Sequence, residues 1–320
     1  MKTRDFARNL LARNELGTIM PMALLLIVVG FVNPSFFAAN NILDILRTAS
    51  FAFIIAVPIT FLMAGGGMDL SIGAATSLGG VICAFALKAG MPVAVAILLA
   101  LLGGAMVGVF NGLIIVKFAL PAFIATLGVQ YAINGIIAIT TKNLAISGFS
   151  SAFKVLGQGK LFGAVAYPVL YALVIGIAGH IMLTRTKYGR SVLAIGGNAE
   201  TAYLSGINVR GKQISIYIAT SVFAALSGVL QAARFASAQP AAGSGTELTI
   251  MASVIIGGTS MFGGTGTVLG SALGCVLLAT ITNALIVMNV STFWQNLIFG
   301  VILIAAIFID KYRRRASGGE

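Results

Sequence analysis

Histidine, cysteine and acidic residues are scarce in this 320-residue chain, and each shortage removes a class of function. There is one histidine, His180, and there are two cysteines, Cys83 and Cys275, each set in an apolar run far from any other thiol or imidazole. That leaves no ligand set for a metal and no spacing for a structural disulfide. No Ser-His-Asp, His-Glu-x-x-His or clustered-cysteine arrangement occurs either, so no catalytic residues, no metal and no cofactor are expected. Eight acids stand against twenty Lys and Arg, for a net charge of +12. In a soluble protein that excess would point to nucleic acid. Here charged residues are only 9% of the chain and hydrophobic ones 58%, with a mean hydropathy of +1.02, whereas ordinary globular proteins carry roughly 25% charged residues. The chain therefore reads as a polytopic membrane protein, surrounded by membrane lipid and with no nucleic-acid partner.

Thirteen of the twenty basic residues fall in three places. These are the N-terminal tail (Lys2, Arg4, Arg8, Arg13), the stretch 184–213 (Arg185, Lys187, Arg190, Arg210, Lys212) and the C-terminal Lys311, Arg313, Arg314 and Arg315. Such clustering is the mark of cytoplasmic segments. A span needs about 20 mainly apolar residues, and that rule yields about ten transmembrane helices: 17–33, 46–64, 71–89, 92–116, 121–141, 163–183, 214–235, 247–262, 264–289 and 293–310. The first is read as retained, because Asn33-Pro34-Ser35-Phe36-Phe37 follows it in place of a cleavage site. An even count puts both termini on the cytoplasmic side and places 184–213 there too, after six crossings. The expected fold is all-α, one transmembrane domain over 1–320 with 184–213 as a cytoplasmic loop inside it.

Glycine is abundant, at 39 residues. Gly104, Gly108 and Gly112 recur every four residues, as do Gly266, Gly270 and Gly274, a spacing that lets helices approach closely. Two other clusters interrupt the apolar pattern: Gly65-Gly66-Gly67-Met68-Asp69-Leu70-Ser71-Ile72-Gly73 and Gly257-Gly258-Thr259-Ser260-Met261-Phe262-Gly263-Gly264-Thr265-Gly266. Each joins two apolar segments too closely for an ordinary loop, so broken helices are expected there. Matched breaks in two halves point to a transport pathway between repeats.

Asp69 is the one acid set within an apolar stretch. A carboxylate at membrane depth is a functional candidate by default, and an Asp just ahead of a new helix is equally a cap. Polar groups within apolar spans make the candidate pathway: Asp69, Ser71, Asn111, Asn134, Thr259 and Ser260. Residues 206–213 come within one position of a phosphate-binding loop, but Gln213 stands where a Ser or Thr would hold Mg²⁺, so ATP is not bound by this motif. Arg47, Arg234 and Glu247 fall on the expected outer side, as a docking surface for a soluble protein or as a plainly solvated face.

Seven segments in order carry a family resemblance. They are Asn33 to Phe37 with Asn40-Asn41-Ile42; Gly67-Met68-Asp69-Leu70-Ser71-Ile72-Gly73; Ala122-Phe123-Ile124-Ala125-Thr126-Leu127; Gly189-Arg190 with Ala194-Ile195-Gly196-Gly197-Asn198; Leu204-Ser205-Gly206-Ile207-Asn208-Val209; Ala233-Arg234 with Ser237-Ala238-Gln239-Pro240; and Ile256-Gly257-Gly258-Thr259-Ser260 with Gly263-Gly264. Over nearly its whole length the chain resembles the permease subunits of ribose-type ABC sugar importers, with Met68 where that family commonly has Ile. The resemblance implies the ABC importer permease fold, a bacterial inner-membrane location and a cytosolic ABC ATPase pressing on coupling helices in the 189–209 stretch. It further implies a periplasmic sugar-binding protein and a second permease copy, identical or related. A short helix from Ala199 to Ser205, capped by Asn198 and stopped by Gly206, is expected there. Arg190, Asn198, Glu200, Ser205 and Gly206 are the coupling candidates. Competing readings are an ion-coupled secondary transporter, a membrane-embedded enzyme, and a nucleoside or branched-chain amino acid permease.

Overall fold

The computed structural model describes residues 33–291 and single positions within 26–30 and 294–304. Both basic tails, and most of the expected first and tenth spans, lie outside the described residues. What is described is built almost wholly of helix. Six helices are long and apolar enough to cross a membrane: α1 (Ala39–Ala64), α3 (Val93–Val116), α4 (Ala122–Thr141), α6 (Tyr167–Arg185), α9 (Val209–Phe235) and α11 (Val268–Val287). Two more, α2 (Ile72–Lys88) and α10 (Thr246–Ile256), are apolar but have 17 and 11 residues, reaching roughly 26 and 17 Å against the ~30 Å of a hydrocarbon core. They occupy the expected third and eighth spans. The eighth is shorter than expected because Gly257-Gly258 turns the chain, Gly258 adopting φ +93°, a conformation that glycine takes without strain.

The four-residue glycine stripes act through packing. A Cβ at Gly104 would fall 2.6 Å from the Ser221 carbonyl oxygen, one at Gly108 2.5 Å from the Ile218 Cα, and one at Gly112 3.1 Å from the Ile214 Cα. Helix α3 thus lies backbone to backbone along α9, the two running antiparallel. Gly79 and Gly80 of α2 meet Ala225 and Gly228 of α9 in the same way, and Gly270 and Gly274 of α11 meet Gly257 and Ser253 beside α10. In lipid no hydrophobic drive brings one apolar helix to another, so such close contact is what holds the bundle. A polar tie reinforces it: the Thr60 and Ser271 hydroxyls lie 2.7 Å apart between α1 and α11.

Helix α1 runs through the middle, its second half almost entirely buried. By contrast α3, α4 and α6 turn Met106, Ile124, Ile139 and Val174 outward. So many exposed apolar side chains would be a liability in water and are ordinary against lipid.

The two ends of the bundle differ. At one, α7 (Lys187–Gly197) and α8 (Ala199–Leu204) link α6 to α9. At the other, α5 (Ser151–Gln158) lies over two small antiparallel pairings. In these, β1 (Ile146–Ser147) joins β4 (Ser237–Ala238), and β2 (Lys160–Leu161) joins β3 (Val165–Ala166). The second hairpin occupies the start of the expected sixth span, which is why α6 begins only at Tyr167.

Candidate functional site

The basic stretch 184–213 folds into three capped helical starts. Thr186 Oγ1 accepts from Gly189 N at 3.2 Å to open α7, Asn198 Oδ1 from Thr201 N at 2.8 Å to open α8, and Asn208 Oδ1 from Gly211 N at 2.9 Å to open α9. Helix α8 ends one residue before the expected Ser205. Gly206, at φ +81°, donates to Tyr203 O, while Ile207 donates back to Ala202 O, a left-handed glycine stop. Ala202 anchors this helix and is buried, whereas Tyr203 and Leu204 are 69% and 78% exposed. Arg190, Asn198, Glu200, Ser205 and Gly206 are exposed as well. A groove of about 520 Å³ runs between α8 and the start of α9, walled by Glu200, Tyr203, Asn208, Arg210 and Gln213. Tyr203 and Leu204 were not among the expected residues. Their signal was present, however, as two large apolar side chains side by side in a polar island.

Helix α7 points the other way, into the bundle. Val192 and Ile195 are buried, and Gly196 lies against the Ala64 carbonyl and the Gly264 amide. The same amide donates to Ala64 O at 2.9 Å. One helix therefore touches both Gly-rich connections, residues 65–71 and 257–267. Tyr188 steadies it: its ring sits 6.3 Å from that of Phe61, its hydroxyl lies 2.7 Å from Ser215 Oγ, and Lys212 Nζ stands 4.2 Å over its face. Burial pushes the Tyr188 phenol upward, with the Ser215 bond opposing.

The six pathway candidates divide into three groups. Asp69, Ser71 and Asn111 come together and are buried. Asp69 Oδ1 accepts from Ser71 N at 2.8 Å and from Ser71 Oγ at 2.7 Å, and Asn111 Nδ2 donates to Ser71 Oγ at 2.7 Å. Longer bonds from Asn111 Nδ2 (3.5 Å) and Thr220 Oγ1 (3.4 Å) reach Asp69 Oδ2. Thr220 was not foreseen, since a threonine within a long helix carries no sequence signal for a partner on another element. Thr259 and Ser260 lie apart from these, buried in the second connection, where Thr259 Oγ1 accepts from Thr267 N and Ser260 Oγ from Phe262 N, both at 3.2 Å. Asn134 is half-buried on α4, one turn beyond Gln130.

The docking candidates are also divided. Arg47 and Arg234 are half-buried at the α5 end. Arg47 Nη2 donates to Gly157 O at 2.6 Å, and Arg234 lies over the Phe51 and Phe235 rings at 5.4 and 5.3 Å. Glu247, expected on the same outer surface, is instead buried at 8% exposure. Its Oε1 accepts from Gln130 Nε2 at 2.9 Å and its carboxylate abuts Gly73. The reason is that the chain after β4 does not stay at the surface: Gly243 donates to Ser77 Oγ at 2.9 Å and packs on Gly73, carrying Glu247 down with it.

Comparison with known proteins gives a consistent result. The family described as "Branched-chain amino acid transport system / permease component" matches residues 41–307. The ribose import permease protein of Haemophilus influenzae is 34% identical over 302 residues, covering 93% of each chain. The D-allose transport system permease protein of Escherichia coli is 33% identical, covering 93% of this chain and 92% of that one. The galactose/methyl galactoside import permease protein of the same organism is 35% identical over 94% of this chain and 96% of that one. No solved structure matches.

Proposed function

The chain belongs to the permease subunits of ribose-type ABC monosaccharide importers, multi-pass proteins of the bacterial inner membrane, and from that membership we propose that it conducts a ribose-like monosaccharide inward under the drive of a separate cytosolic ATPase. Its role is transport rather than catalysis. The observation that carries the reading is the arrangement at the α7 end: an exposed, doubly capped α8 backed by a helix that grips both Gly-rich connections at Gly196. A push on Tyr203 and Leu204 has a short, packed route into the bundle.

In this reading the α7 end and both termini face the cytoplasm. Arg190, Asn198, Glu200, Ser205 and Gly206 frame the ATPase contact. Counting α2 and α10 with the first and tenth expected spans gives ten crossings, the connections 65–71 and 257–267 being breaks at membrane depth, where non-helical backbone must be buried or line a cavity. Asp69, Ser71, Asn111, Asn134, Thr259 and Ser260 hold or border the moving parts of the pathway. A periplasmic binding protein lands at the Arg47 and Arg234 end, and a second permease copy, identical or related, completes the channel. An amino-acid permease is the second reading, favoured by the family description.

The test is to tag the chain in its host, extract it in mild detergent and identify what co-purifies by mass spectrometry. A cytosolic ATPase and a sugar-binding protein are the expected companions. Recovery of the chain alone, under conditions that keep ABC complexes whole, would overturn the reading in favour of an ion-coupled transporter. Within the complex, Arg190→Glu combined with Glu200→Lys is expected to leave membrane insertion intact and abolish ATP-driven uptake.

A further inference from the structure

The non-helical stretch between β4 and α10 descends into the bundle rather than crossing its surface. Gly243 rests on Gly73, in the first turn of α2, which lies roughly 22 Å along that helix from Lys88 at 1.5 Å per residue. Irregular backbone at such depth is tolerated where it is buried in protein or borders water. Here two cavities flank it. One, of about 260 Å³, opens between the descending stretch, α2 and α9, with Thr76, Ser77 and Gln239 in its wall. The other, of about 360 Å³, lies toward α1 and α11, with Thr48, Thr249 and Thr282 in its wall. Gln231 and Phe235 line both.

None of the side chains lining either cavity is charged. Hydroxyls and carboxamides predominate among the polar ones, and Phe235 adds an aromatic face. That chemistry suits a neutral ligand rich in hydroxyl groups and supplies no opposite charge to pair with the two charges of an amino acid. Gln231 is held in place, its Nε2 donating to Ser227 Oγ at 3.2 Å, while Ser227 donates to Phe51 O at 2.9 Å. A primary amide carries two N–H donors and an acceptor, which fits it to span two adjoining spaces. Resting on the importer reading above, we propose that these paired cavities around Gln231 are the outer sugar site of the permease, where a neutral monosaccharide first meets this chain.

The test uses the complete transporter in cells, with radiolabelled ribose, allose and galactose as probes. Gln231→Leu, which keeps bulk and removes the amide, is expected to cut uptake of the carried sugar about tenfold at equal membrane level, the scale of one or two lost hydrogen bonds, and Gln231→Asn to restore part of it. A second measurement is independent of that variant's folding. Cys83 and Cys275 are buried, so a charged, water-soluble thiol reagent added from outside is expected to label Ala242→Cys against a silent background and thereby to block uptake. Uptake within about twofold of wild type for Gln231→Leu, or a labelled Ala242→Cys that still transports normally, would overturn the site. A wild type that carries none of the three sugars would overturn the monosaccharide reading on which the site rests, a result separate from either variant.

Discussion

Between α1 and α2 the chain turns in seven residues, 65–71, and between α10 and α11 in eleven, 257–267. Both turns are rich in glycine and both meet α7 at Gly196, yet they are closed by different chemistry. The first is organised by a carboxyl group: Asp69 gathers the amide and hydroxyl of Ser71 together with a long bond from Thr220, and Asn111 joins through the Ser71 hydroxyl. The second has no charged residue. It is closed by backbone and hydroxyl bonds, Ser260 N to Thr265 O at 3.1 Å and Thr267 N to Thr259 Oγ1 at 3.2 Å, with Gly263 and Gly264 at φ +88° and +84°. A buried carboxylate is costly unless its lone pairs are filled, which makes the first turn all-or-nothing. The second spreads its stability over many small contributions, none of them indispensable.

The largest effect is expected where the two turns stop being separable. A Cβ at Gly196 would sit on the Ala64 carbonyl oxygen and crowd the Gly264 amide, wedging apart the hydrogen bond that ties the end of α1 to the second connection. Backbone on both sides cannot give as a flexible side chain would, so Gly196→Ala is expected to cost about 3 kcal/mol or more and to lower the melting temperature in detergent markedly. Gly197 is the built-in control. A Cβ there meets nothing within 4 Å, and Gly197→Ala within a helix is expected to be neutral or to stabilise by about 0.5–1 kcal/mol. Equal melting temperatures for the two variants would mean that α7 does not clamp the connections.

Next in size is the Asp69 side chain. Asp69→Ala leaves the Ser71 amide and hydroxyl without their acceptor in a buried site, and about 2–3 kcal/mol of destabilisation is expected. Asp69→Asn keeps an oxygen for the Ser71 amide and forfeits only the long bonds to Asn111 and Thr220, so about 1 kcal/mol and near-normal uptake are expected. If Asp69→Asn abolished uptake while melting like wild type, the carboxyl group would be acting in transport rather than in closing the turn onto Ser71.

How much of this was legible in the sequence differs between the same two regions. Both turns are visible as glycine clusters inside apolar runs, whereas Asp69, which reads as a cap, instead closes a turn onto the amide of Ser71, the residue that stands at the N-cap of α2. The α8 helix is legible almost to the residue, because Asn198 and Gly206 are local signals that act within one turn. What cannot be read is tertiary approach. Nothing near Gly196 in sequence says that Ala64 and Gly264 will converge on it, and nothing in Ser237-Ala238-Gln239-Pro240-Ala241-Ala242-Gly243 distinguishes a descending segment from an ordinary outer loop. Glu247 was misplaced for that reason. Its burial is decided by the meeting of Gly243 with Gly73, two residues 170 positions apart.

An effect as small as that of Asp69→Asn is expected at Thr259, and it is the sharpest check on the contrast. Thr259→Val preserves the branched shape, including the methyl that faces Gly266, and removes only the oxygen that accepts from Thr267 N. A single neutral hydrogen bond of this kind is worth about 1 kcal/mol, and the remaining closure, Ser260 N to Thr265 O and Gly264 N to Ala64 O, is untouched. Thr259→Val should therefore melt only slightly below wild type and transport normally, well short of Asp69→Ala. If instead it matched Asp69→Ala, the second turn would also depend on one side chain, and its glycines would be serving clearance alone rather than sharing the work of closure.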